Sequence, residues 1–119
     1  MGFRFEKLEV WKDARKFVNK IYEVTKTFPS EERFGLVDQL RRAALSIVLN
    51  IAEGSDRKSD KEFARFLRTS ITSVEEVVTA LYIALDQRYL TQEKFDELYP
   101  DANQLVARIN ALISSLKRQ

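Results

Sequence analysis

The chain has 119 residues, enough for one domain that buries roughly two thirds of its unfolded surface without covalent staples. It contains no cysteine and no histidine, which excludes disulfides and thiolate metal sites and removes the usual general base and the commonest metal ligand. Three glycines and two prolines are too few for the turns of a sheet protein, and a formal charge of +2 permits a nucleic-acid partner without calling for one.

The chain opens with Phe3 and Phe5 alternating against Arg4 and Glu6. These aromatics have two places to go, their own domain or a neighbouring subunit, and their own domain is preferred. A first helix is predicted over about residues 8–26. Val10, Ala14, Phe17, Val18, Ile21, Val24 and Phe28 follow the 3.6-residue period, with Trp11 and Tyr22 on the flank. Pro29 stops it, because proline disfavours helix in the residue before it.

Ser30-Glu31-Glu32 then offers a hydroxyl cap followed by acids, the signature of a second helix start. That helix should end at Gly54 in a left-handed cap. Its heart is apolar on nearly every side: from Ala43 to Ala52 only Ser46 and Asn50 are polar. Such a rod belongs inside a bundle or between subunits. Gln39, Arg42, Ser46, Asn50 and Glu53, spaced by three or four, form a narrow polar seam. It is either a buried network that sets bundle register or the lining of a recognition groove, and the structural role is preferred. Leu45, Leu49 and Ala52, opposite the seam, are apolar surface beyond what one buried stripe needs and mark an oligomer contact.

Ser59-Asp60-Lys61-Glu62 reads as a capping box opening a third helix, whose buried stripe is predicted at Phe63, Leu67, Ser70, Val74, Val78, Leu81 and Leu85. Thr91 caps a fourth. There Phe95, Leu98, Ala102, Leu105, Ile109, Leu112 and Leu116 alternate steps of three and four, with Pro100 expected to kink the helix or mark a second start. Four amphipathic helices joined by short connectors predict an all-α, antiparallel up-down-up-down four-helix bundle occupying residues 1–119 as one domain.

This topology polarises the charge. From Ser55 to Arg68 five basic residues face three acidic ones, and Lys7, Lys12, Lys117 and Arg118 join the same end. From Asp86 to Asp101 two basic residues face five acidic ones. Lys58, Lys61, Arg65 and Arg68 are spaced as one stripe on the third helix, at a pitch that can follow a phosphate backbone. The competing account is a solvated face balanced by nearby acids such as Glu62.

Catalytic chemistry is poorly supplied. A di-iron bundle needs Glu-x-x-His pairs, Gly54 has no glycine companions for a phosphate loop, and Glu75-Glu76 is a solvated helical pair. The expectation is a non-enzyme without metal or cofactor. No apolar run approaches the ~20 residues of a bilayer span, and the N-terminus lacks a signal-peptide core. A cytoplasmic domain without a membrane partner is expected.

Four segments carry a family resemblance: V-W-K-D-A from Val10, F-P-S-E-E-R-F-G-L from Phe28, Q-L-R-R-A-A-L-S-I-V-L-N-I-A-E-G from Gln39, and E-F-A-R-F-L from Glu62. The chain resembles the bacterial four-helix bundle proteins called intervening-sequence proteins of the large-subunit ribosomal RNA. The resemblance implies a homo-oligomer, a pentameric ring like the related accessory proteins of diversity-generating retroelements, which bind nucleic acid and a reverse transcriptase through basic surface. Arg41, Arg42, Ser46, Asn50, Glu53 and Gly54 match the family's central motif. Two departures stand out: Val48-Leu49 replaces a frequent Pro-Ser, and Ile71-Thr72 stands where Arg-Gly is common. Both weaken the transfer of nucleic-acid binding.

The functional expectation is a non-catalytic oligomer that associates with structured RNA or its protein complex. Lys58, Lys61, Arg65 and Arg68 would contact phosphates, joined by Arg41 or Arg42 where exposed. The alternative is a scaffold that docks a protein partner and makes no nucleic-acid contact.

Overall fold

The computed structural model describes residues 2–117 and contains four long helices: α1 (Glu9–Thr25), α2 (Leu36–Ser55), α3 (Asp60–Asp86) and α4 (Gln92–Lys117). Short 3₁₀ turns at Arg4–Lys7 and Ser30–Glu32 precede α1 and α2. Arg118, one of the cations expected at the basic end, lies outside the described residues, as does the side chain of Lys117. No helix among the described residues is long and apolar enough to cross a membrane.

Side-chain contacts give the helix directions. Ser46 meets Ser73, the Ile47 carbonyl meets Ser70, and Gly54 meets Phe63 and Phe66, so α2 and α3 run antiparallel. Asp13 pairs with Arg108 and Lys20 with Asp101, which makes α1 and α4 antiparallel as well. Tyr82 packs on Phe95 close to the turn that reverses α3 into α4. The result is an up-down-up-down four-helix bundle, a rod 46 Å long and 24 by 21 Å across.

The buried stripe of α1 is Val10, Ala14, Phe17, Val18, Ile21 and Val24, as its period requires. On α3 the central buried line is Phe63, Leu67, Ser70, Val74, Val77, Leu81 and Ala84, flanked by buried Ala64, Ser73 and Ala80; Val78 and Leu85 are only half-buried. The true seam thus alternates steps of four and three throughout, the 3.5-residue repeat of a left-handed bundle. Small Ala84 takes the inner position that larger Leu85 was expected to fill. On α4 the seam drifts the other way, and Ile113 is buried in place of half-buried Leu112. A straight helix slips about 20° per heptad against a strict seven-residue repeat. Pro100 neither ends α4 nor starts a second helix, although it supplies no amide proton to the ladder.

The helix ends hold further corrections. Ser30 does not cap α2. The Glu32 carboxylate does, accepting from the Leu36 amide (3.1 Å) with one oxygen and from the Tyr89 hydroxyl (3.0 Å) with the other. This ties the entry of α2 to the exit of α3. Ser59 caps α3 by accepting from the Glu62 amide at 3.1 Å, but the Glu62 carboxylate turns to Arg65 and does not close a capping box. Thr91 caps α4 in the same manner through the Lys94 amide. Gly54 is not a left-handed terminus: α2 continues to Ser55, and Gly54 is buried. Among the described residues the left-handed non-glycine position is Arg88 (φ 65°), beyond α3, where the Arg88 and Tyr89 amides close back on the Leu85 and Ala84 carbonyls.

A Cβ on Gly54 would stand 2.6 Å from the Phe66 Cβ and 3.0 Å from Phe63 Cδ1. A Cβ moves only with its helix, so the upper part of the ~1–3 kcal/mol overpacking range applies to Gly54→Ala. That exceeds the ~1 kcal/mol alanine gains over glycine in a helix. Urea or thermal unfolding should show a lower midpoint, and an unchanged one would refute the close-packing role. A second expectation concerns pH. The hydrogen bond to Glu32, together with burial and the adjacent carboxylate charge, raises the Tyr89 hydroxyl above its ordinary pKa. A raised folded-state pKa means stability fully present below about pH 10 and lost as pH climbs through the raised value. Wild type should therefore lose its advantage over Tyr89→Phe in alkaline melts; a difference constant from neutral pH to pH 12 would remove this bond from the account.

Candidate nucleic-acid interface

The end of the rod where α2 finishes and α3 begins carries the predicted basic stripe. Lys58 lies in the turn before the Ser59 cap and not on α3. Lys61, Arg65 and Arg68 follow on the exposed face of α3, and all four side chains are exposed. Their charges are not equally available. Arg65 donates through Nε and a terminal nitrogen to the two Glu62 oxygens, at 3.2 and 3.1 Å. The hydrogen bond and charge of Arg65 hold the Glu62 carboxyl below its ordinary range, and Glu62 in turn raises Arg65. Lys58, Lys61 and Arg68 make no ion pair among the described residues.

Arg65 also joins a layered contact across the α2–α3 junction. The Phe66 ring has the Arg65 guanidinium 5.2 Å and the Arg57 guanidinium 4.7 Å from its centroid, and Arg57 pairs with Glu53 at 2.9 Å. Composition and spacing identified the cations of this end but not this arrangement. Phe66 is outside the predicted buried stripe and is half-buried in the structure, where the close approach at Gly54 brings Arg57 onto it.

Arg41 and Arg42 do not belong to this surface. The remaining length of α2, about 20 Å at 1.5 Å rise per residue, separates them from the turn that holds Lys58. Arg41 is half-buried, donating from Nε to Thr25 Oγ1 (2.9 Å) and from a terminal nitrogen to the Tyr22 carbonyl (3.3 Å), with its guanidinium on the Tyr22 ring. It fastens α2 to the last turn of α1, sharing the Tyr22 carbonyl at that helix end with the Thr25 hydroxyl (3.1 Å). Arg42 is exposed and pairs with Asp38 one turn away, at 2.9 Å.

The polar seam divides in the same way. Ser46 and Asn50 are half-buried and linked: Asn50 Nδ2 donates to the Ser46 carbonyl (2.9 Å) and to Ser46 Oγ (3.0 Å), and Ser46 Oγ shares a hydrogen bond with Ser73 Oγ (2.8 Å). Ser70, fully buried, adds a bond to the Ile47 carbonyl at 2.9 Å. Gln39, Arg42 and Glu53 are exposed and lie outside this network. No buried side-chain nitrogen or oxygen among the described residues lacks a partner.

Leu45 and Leu49 stand in solvent, Leu49 at 55 %, and Ala52 is half-buried beside them. Phe34, 84 % exposed, and Ile83 add apolar surface near the other end, lining a shallow depression with Leu36. A larger open groove of about 880 Å³ lies between α1 and α4, with Tyr22, Val24, Leu90 and Leu98 in its lining. Its lysines are each paired to a carboxylate: Lys20 to Asp101, Lys26 to Glu23 and Lys94 to Glu97.

Since Arg41 serves the bundle, Arg41→Met should lower stability by about 1.5–3 kcal/mol through lost charged hydrogen bonds. It should leave any phosphate binding at the other end intact. An Arg41→Met protein of native stability in chemical unfolding would contradict this role.

A model of the 23S rRNA-intervening sequence protein family matches residues 6–111. Among solved structures, the fold is similar to a protein of unknown function from the S23 ribosomal protein family of Bacteroides thetaiotaomicron, with a TM-score of 0.78 and 20 % identity. That likeness covers 87 % of this chain and 97 % of the other. No curated protein matches. With its central motif built into the helix packing and the family match running over nearly its whole length, the chain belongs to the 23S rRNA-intervening sequence protein family.

Proposed function

We propose that the protein is a non-catalytic, oligomeric bundle that associates with structured RNA, or with a ribonucleoprotein, through its basic end. The observation that carries this is the set of exposed cations Lys58, Lys61 and Arg68, which have no carboxylate partner among the described residues. The opposite end, from Asp86 to Asp101, carries the acidic excess. A rod charged in this way presents one end to a polyanion and turns the other away. Arg65 can join the contact at small cost, because an exposed pair such as Arg65–Glu62 is weak in water and a phosphate can replace the carboxylate.

Assembly strengthens the case. Leu45, Leu49 and Ala52 are proposed to pack against a second copy, and the family resemblance points to a ring of five. A cyclic ring of rods set along its axis gathers the same end of every copy on one rim, so a few weak cations per chain become one polyvalent surface. A scaffold for a protein partner is the second reading. It is favoured by the exposed Phe34 and Ile83, which lie away from Leu45 and Leu49 at the non-basic end.

Light scattering should give a discrete mass five times that of the chain, and affinity for a structured RNA should fall steeply with salt. Reversing two unpaired cations, Lys61→Glu with Arg68→Glu, should weaken binding at least about tenfold at low salt. It should also flatten the log–log salt slope by about 2 for each chain engaged, since each phosphate contact contributes about 0.9. Unchanged affinity in the double variant would retire the phosphate account and leave the scaffold.

A further inference from the structure

The N-terminal turn does not complete the core as its two phenylalanines suggest. Phe5 docks on its own bundle, its ring 4.8 Å from Trp11. Phe3 stacks on Phe5 at 5.7 Å with 16° between the rings and remains 70 % exposed. One face of the Phe3 ring lies on Phe5, and the other is open to solvent. The backbone beneath it is held: the Phe3 amide donates to the Glu6 carboxylate at 2.6 Å, and the Phe3 carbonyl accepts from the Glu6 amide at 3.1 Å. A fixed, open aromatic face is unfavourable in water unless something covers it.

Cations surround this aromatic series. The Arg15 guanidinium lies over the Trp11 ring at 5.7 Å, and Lys7 is exposed on the same turn. Arg4 reaches the Phe63 ring at 5.7 Å, two residues from Lys61, and so joins the turn to the basic end of α3. Stacked rings ending in an open face, interleaved with guanidinium and ammonium groups, match the chemistry of an unpaired nucleobase and its flanking phosphates. We propose that Phe3, backed by Phe5 and Trp11, is a stacking platform for an unpaired base, with Arg4, Lys7 and Arg15 around its phosphates. This rests on the RNA reading above and refines it: the preferred substrate is RNA with single-stranded nucleotides next to its helical part.

The chain contains one tryptophan, so Trp11 emission reports on this site directly. Two probes are titrated at equal low salt: an unstructured RNA decamer of mixed sequence, and the same sequence as a blunt duplex. The decamer should quench Trp11 and bind the wild type, and Phe3→Ala should weaken it about 5- to 100-fold, the range of one lost base–aromatic stack. Phe3→Tyr should restore binding, Phe3→Leu should not, and duplex affinity should be unchanged in all three. Phe3→Ala that leaves decamer affinity intact, or weakens decamer and duplex equally, overturns the platform while sparing the RNA reading. Phe3→Ala that lowers the mass of the particle overturns it in favour of a contact between copies. Failure of both probes to bind the wild type overturns the RNA reading and the platform together.

Discussion

The approach of α2 to α3 is the contact on which the rest of the molecule depends. At Gly54 the two helices lie so close that no β-carbon fits between them and Phe66. Further along, Ser70 and Ser73 reach across with hydrogen bonds to the Ile47 carbonyl and to Ser46. Small residues at one end and short hydroxyls along the length let two helices pack with little lateral freedom. This pair sets the register in which the α1 and α4 stripes are buried. It also brings the last residues of α2 beside the first of α3, and so creates the end of the rod where the cations gather.

Seen in this light, the motif around Arg41 to Gly54 is largely architecture. Arg41 closes the end of α1, Ser46 and Asn50 join α2 to α3, and Gly54 admits Phe66. Each role is internal to one chain. A motif of this kind identifies a fold with high specificity and carries little information about a ligand. That is why family membership is plain here while function has to be argued from surface residues outside the motif.

The surface argument turns on pairing. Several cations of this chain pair with a carboxylate one helical turn away, as in Arg42–Asp38, Arg57–Glu53, Arg65–Glu62 and Lys94–Glu97. Such exposed pairs add little stability and dim the local field. Lys61 and Arg68 keep their field because no acid lies three or four residues from them, and Lys58 keeps it because Glu62, four residues on, is taken by Arg65. Arg57 and Arg65, though paired, are held against Phe66, so their guanidinium planes are oriented before any phosphate arrives.

The sequence by itself determined the number of helices, their order, the antiparallel bundle and most of the core. Those properties follow from periodicity, proline and glycine placement and short connectors, all local in the chain. It also located the basic and acidic ends, since topology alone assigns residues to an end. Tertiary structure decided what depends on rotation and distance between helices: that Val77 and Ala84 are buried in place of Val78 and Leu85, and that Gly54 is a packing site and not a cap. It also took Arg41 out of the candidate interface and left the Phe3 ring open beside cations. An arginine reads the same in sequence whether it meets water, a carboxylate or the end of another helix. Only the relative placement of helices, set by side chains far apart in the chain, distinguishes these cases.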